Sequence, residues 1–252
     1  MKNNVLKMAA MLLVALMGAL VACTPNDARQ STQSGEQAQQ VAAETNGRTT
    51  AQAPAGDIQP TITGEISHDT WNEGQRSTVS FVRFPASLAE WEQARKVLGG
   101  EPQGAVALQV MAFELFRRDA EAGKQALEMN NTGVNFTQTL RQLQQIMDVK
   151  DTYYACPYLA AALLKGATPD NGYHPDEPYQ LEVRVNPVSK YQESEMVGGT
   201  VIYLQVDSKG WDTNWRGVEV VKPEGQQYYV VSNCPALYTQ CKKVKGQCAE
   251  VK

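Results

Sequence analysis

Histidine is nearly missing from this chain: His68 and His174 are its only two. That count excludes a histidine-rich metal centre. The sequence also contains no HExxH, no GxSxG and no phosphate-cradling GxxxxGK[ST], so the common zinc-hydrolase, serine-hydrolase and nucleotide motifs are absent. Basic residues are in deficit, 23 Lys and Arg against 27 Asp and Glu, for a formal net charge of -4. An acidic chain of this kind offers no electrostatic footprint for nucleic acid. Long apolar runs are scarce too. The best, Met8 to Ala22, falls short of the roughly 20 residues a membrane span needs. No cofactor and no metal is expected. What remains, 252 residues at 42% hydrophobic, is enough for one globular domain with a proper core.

The first segment reads MKNNVLKMAAMLLVALMGALVAC. Lys2 and Lys7 form a positive n-region, and Met8 to Ala22 has the length of a secretory h-region. It ends in Leu20-Val21-Ala22-Cys23, which resembles the lipobox of bacterial lipoproteins. The resemblance implies cleavage before Cys23, a diacylglyceryl group on its thiol, and an extracytoplasmic, membrane-anchored chain. Thr24, rather than an acid, after Cys23 implies sorting to the outer membrane in a cell with two membranes. Two or more acyl chains hold such an anchor stably.

Four segments follow from composition. Residues 1–22 are the signal peptide, and residues 23–57 are the lipidated cysteine and a flexible linker rich in Gln, Ala, Thr and Ser, with no aromatic. As a coil the linker spans about 30 Å, so its role is reach. Residues 58–236 are the globular domain, and residues 237–252 a Cys- and Lys-containing tail.

Within the domain the period changes once. From Ser87 to Gly166 it is helical. Ser87 and Glu90 form a capping box, Ala105 to Phe116 is apolar almost all round, Asp119 caps a third helix, Thr137 a fourth, and Pro157 opens a fifth that Gly166 closes. After Gly166 the period is two: Tyr179, Leu181, Val183 and Val185 alternate with Gln180, Glu182 and Arg184. Further strands are expected around Ile202, Val218 and Tyr228, with a hairpin at Lys222 to Gln226. Ser77 to Phe84 also looks like a strand, and the stretch after Ile58 is an edge strand at best. The expected fold is α+β: about five helices, then an antiparallel sheet of about four strands with the helices on one face.

The succession FPASL, EPQGAVALQVMAFELF, PYLAAALLKGATPDNGY and VEVVKPEGQQYYVVS is similar to an uncharacterised bacterial family catalogued as a domain of unknown function. The similarity spans Phe81 to Leu237 and implies one continuous domain. It supplies no activity, cofactor or catalytic residue.

The candidate site is the junction between helices and sheet. Turn chemistry accounts for Gly166 to Pro178 except at Tyr173 and His174. With Tyr153, Tyr154, Tyr158 and Tyr179 nearby in sequence, Tyr173 and His174 mark a possible groove for a glycan or peptide; simple packing is the plainer alternative. Once Cys23 is lipidated, Cys156, Cys234, Cys241 and Cys248 remain, an even number consistent with two disulfides of undetermined pairing. Cys156 and His174 lack any third group that would mark a catalytic pair. The expected function is a lipid-anchored binding or interaction module for an envelope protein, glycan or peptide. The alternative is an envelope-polymer hydrolase or transferase with its site at that junction.

Overall fold

The computed structural model describes residues 57–67, 74–134, 136–147, 155–188, 191–244 and 252, all within the compact unit formed by residues 51–252. Two strands, β1 (Thr61–Gly64) and β2 (Arg76–Phe81), precede the helices α1 (Leu88–Leu98), α2 (Pro102–Arg118), α3 (Ala120–Met129), α4 (Phe136–Met147) and the short α5 (Leu159–Ala162). Then come β3 (Tyr179–Val185), β4 (Tyr191–Ser194), β5 (Gly199–Asp207), β6 (Trp215–Val221) and β7 (Val230–Asn233), with a 3-10 turn at Pro235–Leu237.

The sheet has seven strands, not about four, in the order β1-β2-β3-β5-β6-β7, every pair antiparallel. Of the two strands ahead of the helices, β2 pairs with β3 and carries β1 on its other side, so the helices are an insertion between sheet strands rather than a layer that precedes them. β4 is the third addition. It pairs with Gly199 to Ile202 of β5, and β3 takes Leu204 to Val206.

Helix α2 is the reason the sheet has one dry face. Every residue from Pro102 to Phe116 is buried. Val79, Phe81, Leu181, Val183, Leu204 and Val218 form the sheet side of the same core. Trp91 of α1 donates its indole N–H to the Leu108 carbonyl at 3.0 Å, fixing α1 on α2. α1 starts as expected: Ser87 accepts the Glu90 N–H at 3.3 Å. The Glu90 carboxylate reaches back to the Ala86 N–H at 2.8 Å and to Arg83 at 2.7 Å. Asp119 caps α3 through the Glu121 and Ala122 N–H groups. α3 approaches α2 so closely that a Cβ on Gly123 would lie 2.1 Å from the Phe116 Cα.

Two local expectations are corrected. Thr137 lies inside α4 rather than capping it, because the helix already includes Phe136. The fifth helix keeps only Leu159–Ala162 of the run from Pro157 to Gly166. Leu163 and Leu164 already close tight turns onto Ala160 and Ala161, and Lys165 turns away to pair with Gln180. No helix among the described residues is long and apolar enough to cross a membrane. Cys23, the leader and the linker lie outside the described residues.

Candidate functional site

The loop between α5 and β3 is organised by one side chain. Asn171 accepts the Thr168 and His174 N–H groups through Oδ1, at 2.9 and 3.1 Å. Its Nδ2 donates to the carbonyls of Gly166 and His174 at 2.9 and 3.0 Å. Gly166 sits at φ +81°, and its missing Cβ leaves room for the Asp176 carboxylate. The knot holds Tyr173 in a left-handed conformation, φ +59°. That conformation costs a non-glycine residue about 1 kcal/mol.

The return is a ring aimed inward. Tyr173 is fully buried and stacks on Tyr158, ring centroids 4.8 Å apart at 22°. Its hydroxyl donates to the Lys242 carbonyl at 2.8 Å, and the Tyr158 hydroxyl donates to the same oxygen at 3.4 Å. Cys241 offers its thiol to the Tyr173 oxygen at 3.7 Å. Burial and then the neighbouring Cys241 push the Tyr173 phenol well above its ordinary range. Tyr179 is also buried, edge-on to Phe81 at 5.6 Å. His174 is exposed, its ring held against the Asn171 carbonyl of its own loop. Tyr153 and Tyr154 lie outside the described residues. The junction is therefore filled, and the chain's own segment Pro235 to Lys243 fills it.

That segment is anchored along its length. Arg216 donates to the Ala236 carbonyl at 2.8 Å, Trp211 to Thr239 at 2.6 Å, and the Lys242 N–H to Gly210 at 2.8 Å. Leu237 and Tyr238 belong to the core. Tyr238 meets Phe113 edge-on at 6.1 Å, and its hydroxyl reaches Gln142 at 3.1 Å.

Between this segment and α4 lies an open cleft of about 540 Å³. Gln142, Gln145 and Ile146 form one wall, Tyr238, Thr239, Gln240 and Cys241 the other, with Cys156 at the base of α5. Gln240 is itself left-handed, φ +62°. Amides, hydroxyls and thiols make this lining, and neither a carboxylate nor an imidazole is among the described residues in it.

The sequence pointed to the tyrosines and missed the glutamines, which the α4 periodicity places on the face turned to water. The signal lay in composition: uncharged QLQQ opposite uncharged YTQC.

No disulfide joins any two of Cys156, Cys234 and Cys241, and Cys248 lies outside the described residues. The expected two bridges are thus not formed among the described cysteines. Cys234 is buried against α2, where the Gln109 amide donates to its sulfur at 3.6 Å. Burial pushes its thiol up to about 12, the Gln109 bond opposing in part. Cys241 faces the other way, onto Tyr173 and the cleft. Among the described residues no three His, Cys, Asp or Glu side chains gather as metal ligands.

No curated protein and no solved structure matches the chain. Residues 83–245 match the family model described as Domain of unknown function (DUF6935), and that span covers well over half of the sequence. The chain belongs to that family.

Proposed function

We propose that the chain is a lipid-anchored, extracytoplasmic envelope protein, placed on the outer membrane where the cell has two. Its α+β domain binds a neutral ligand rich in hydrogen-bonding groups, a glycan or peptide of the envelope. The observation that carries the binding role is the lining of the cleft between α4 and Tyr238 to Cys241. Gln142, Gln145, Tyr238, Thr239 and Gln240 supply donors and acceptors in both senses. A charged ligand would find no opposite charge there. Such a wall orients hydroxyls and amides, and the buried aromatic junction behind it keeps the wall rigid.

The alternative, a hydrolase or transferase on an envelope polymer, draws on the thiols of Cys156 and Cys241 at the same cleft. A catalytic thiol needs a base within hydrogen-bond reach. His174, the one described imidazole, is engaged by Asn171. The lining therefore supports the binder.

The anchor rests on Lys2, Lys7, the apolar run to Ala22 and the lipobox-like Leu20 to Cys23. Replacing Cys23 by alanine releases the protein into a detergent-free wash; retention at the membrane would remove the anchor. For the cleft, neutral oligosaccharides and peptides are titrated against the full chain in detergent. Q142L combined with Q145L weakens the bound ligand about tenfold. Binding that ignores this pair, or turnover lost in C241S, would move the function away from simple recognition.

A further inference from the structure

Arg76 and Arg184 are Cα partners across the β2–β3 ladder. Their strands alternate, so both side chains stand on the sheet face turned away from the core that Val79 and Val183 line. Like charges set directly opposite repel. Trp215 of β6 receives both. The Arg184 guanidinium carbon lies 3.8 Å from its ring centroid and that of Arg76 lies 5.6 Å away. Cation–π attraction offsets part of the repulsion but supplies no counter-charge.

The acids on this face each have another partner, and Asp207 also attracts Arg184 without forming an ion pair with it. Glu182 pairs with Lys165 at 3.1 Å, Asp207 with Lys209 at 3.5 Å, and Glu219 accepts from Asn233. Among the described residues neither arginine is in an ion pair, and Arg184 has one side-chain hydrogen bond, to Gln205 at 2.9 Å. Two other arginines stacked on rings are built differently. Arg95, over Tyr228, donates to the Met129 carbonyl, and Arg216, over Trp211, donates to the Ala236 carbonyl. Each of those ties two chain segments together. Arg184 bonds only Gln205 of the neighbouring strand and Arg76 has no side-chain hydrogen bond among the described residues, so this face holds two facing cations without an ion-pair partner, a juxtaposition that suits an anionic ligand.

We propose that Arg76, Arg184 and Trp215 form a binding site for an acidic polysaccharide, the two guanidiniums gripping a sugar carboxylate. Paired guanidinium forks match a carboxylate and cancel the repulsion between them. The surface is a face, not an edge, so its backbone groups are spent in the ladder and side chains make every contact. Partly exposed Thr78, Gln180 and Gln205 offer hydroxyl and amide groups to sugar hydroxyls. An added Cβ at Gly217, beside Gln205, would meet nothing within 4 Å, so the surface there is open. An acidic peptide would instead add to a sheet edge through its main chain. The site is independent of the cleft.

The test uses the full chain in detergent with polygalacturonate as probe and dextran and polyglutamate as controls. Polygalacturonate binds, and added salt weakens it. R76Q and R184Q each reduce binding about tenfold. K124Q, at an exposed side chain of α3, leaves binding unchanged, and R76Q melts no lower than the parent because a repulsion is removed. Absent binding, or binding by R76Q and R184Q as tight as the parent's, overturns the site. A lower melting temperature in R76Q with unchanged binding makes the cluster a structural staple. Polyglutamate binding as tightly as polygalacturonate overturns the choice of a glycan.

Discussion

Raising the pH tests the interior of this domain at one atom. Cys234 is buried beside Gln109 of α2, and its thiol is pushed from an ordinary 9.0 up to about 12. Above pH 9 the unfolded chain gives up this proton while the folded chain keeps it. The stability this thiol contributes is fully present below pH 9 and is lost as the pH climbs toward 12. Linkage puts the loss at about 1.4 kcal/mol at pH 10 and about 2.7 kcal/mol at pH 11. That is a large share of a typical domain stability of about 5–15 kcal/mol. Tyr238 and Tyr173, both raised by burial, add losses of the same sign, but from nearer pH 10. The window from pH 9 to pH 10 therefore isolates the thiol. Urea unfolding of the full chain and of C234A, followed in half-unit steps, reads the slope directly. C234A starts about 1 kcal/mol less stable from the lost packing, and its midpoint then falls less steeply with pH, with the m-value unchanged. Equal slopes in the two proteins would show that Cys234 ionises as readily folded as unfolded, and the buried placement would be wrong.

Gly123→Ala sets helix propensity against space. Alanine gains about 1 kcal/mol in a helix interior, but its Cβ would sit 2.1 Å from the Phe116 Cα, a backbone contact that cannot yield locally. Overpacking of about 1–3 kcal/mol wins, so the variant melts lower; a higher melting temperature would refute the α2–α3 contact. Tyr173→Phe keeps the ring stack and loses the bond to Lys242, which retains Tyr158 at 3.4 Å. It costs about 1 kcal/mol and speeds amide exchange at Lys242 more than at Val183; a uniform change across both would refute the tail's anchoring role. Glu90→Ala takes the carboxylate away from Arg83, which keeps the Phe84 carbonyl, and from the Ala86 N–H at the start of α1, costing about 1–2 kcal/mol by chemical denaturation, and no loss would refute the cap.

The helices were legible in the sequence because caps and periodicity are local. Ser87, Asp119 and the apolar face of α2 each act within a turn or two. The sheet was less legible because strand pairing is not local. β2 finds β3 across the whole helical insertion, and β4 takes the part of the β5 edge that β3 leaves. Neither partner is written near the strand it joins. Pro60 and Gly64 allow an edge strand at best, and β1 is an outer strand that pairs on one side only, where both are tolerated.

The same distinction governs the site. Tyrosines gathered near a helix-to-sheet junction can be read from the sequence; whether water or protein covers them depends on a segment some 70 residues later. Lys242 supplies the carbonyl that both Tyr158 and Tyr173 seek, and Leu237 and Tyr238 enter the core. A phenol with its hydroxyl satisfied inside has no need of a ligand. The proposed recognition falls instead to side chains at the surface, Gln145 and Gln240 in the cleft and the Arg76–Arg184 pair on the sheet. These residues are the ones that periodicity assigns to solvent. A polar residue on an outward position carries no signal by itself, and only its neighbours from other elements turn it into a wall or a clamp. Arg184 shows this most sharply: alternation makes it an ordinary surface cation, and only the register with Arg76 makes its position costly, a cost that the reach of Trp215 offsets in part.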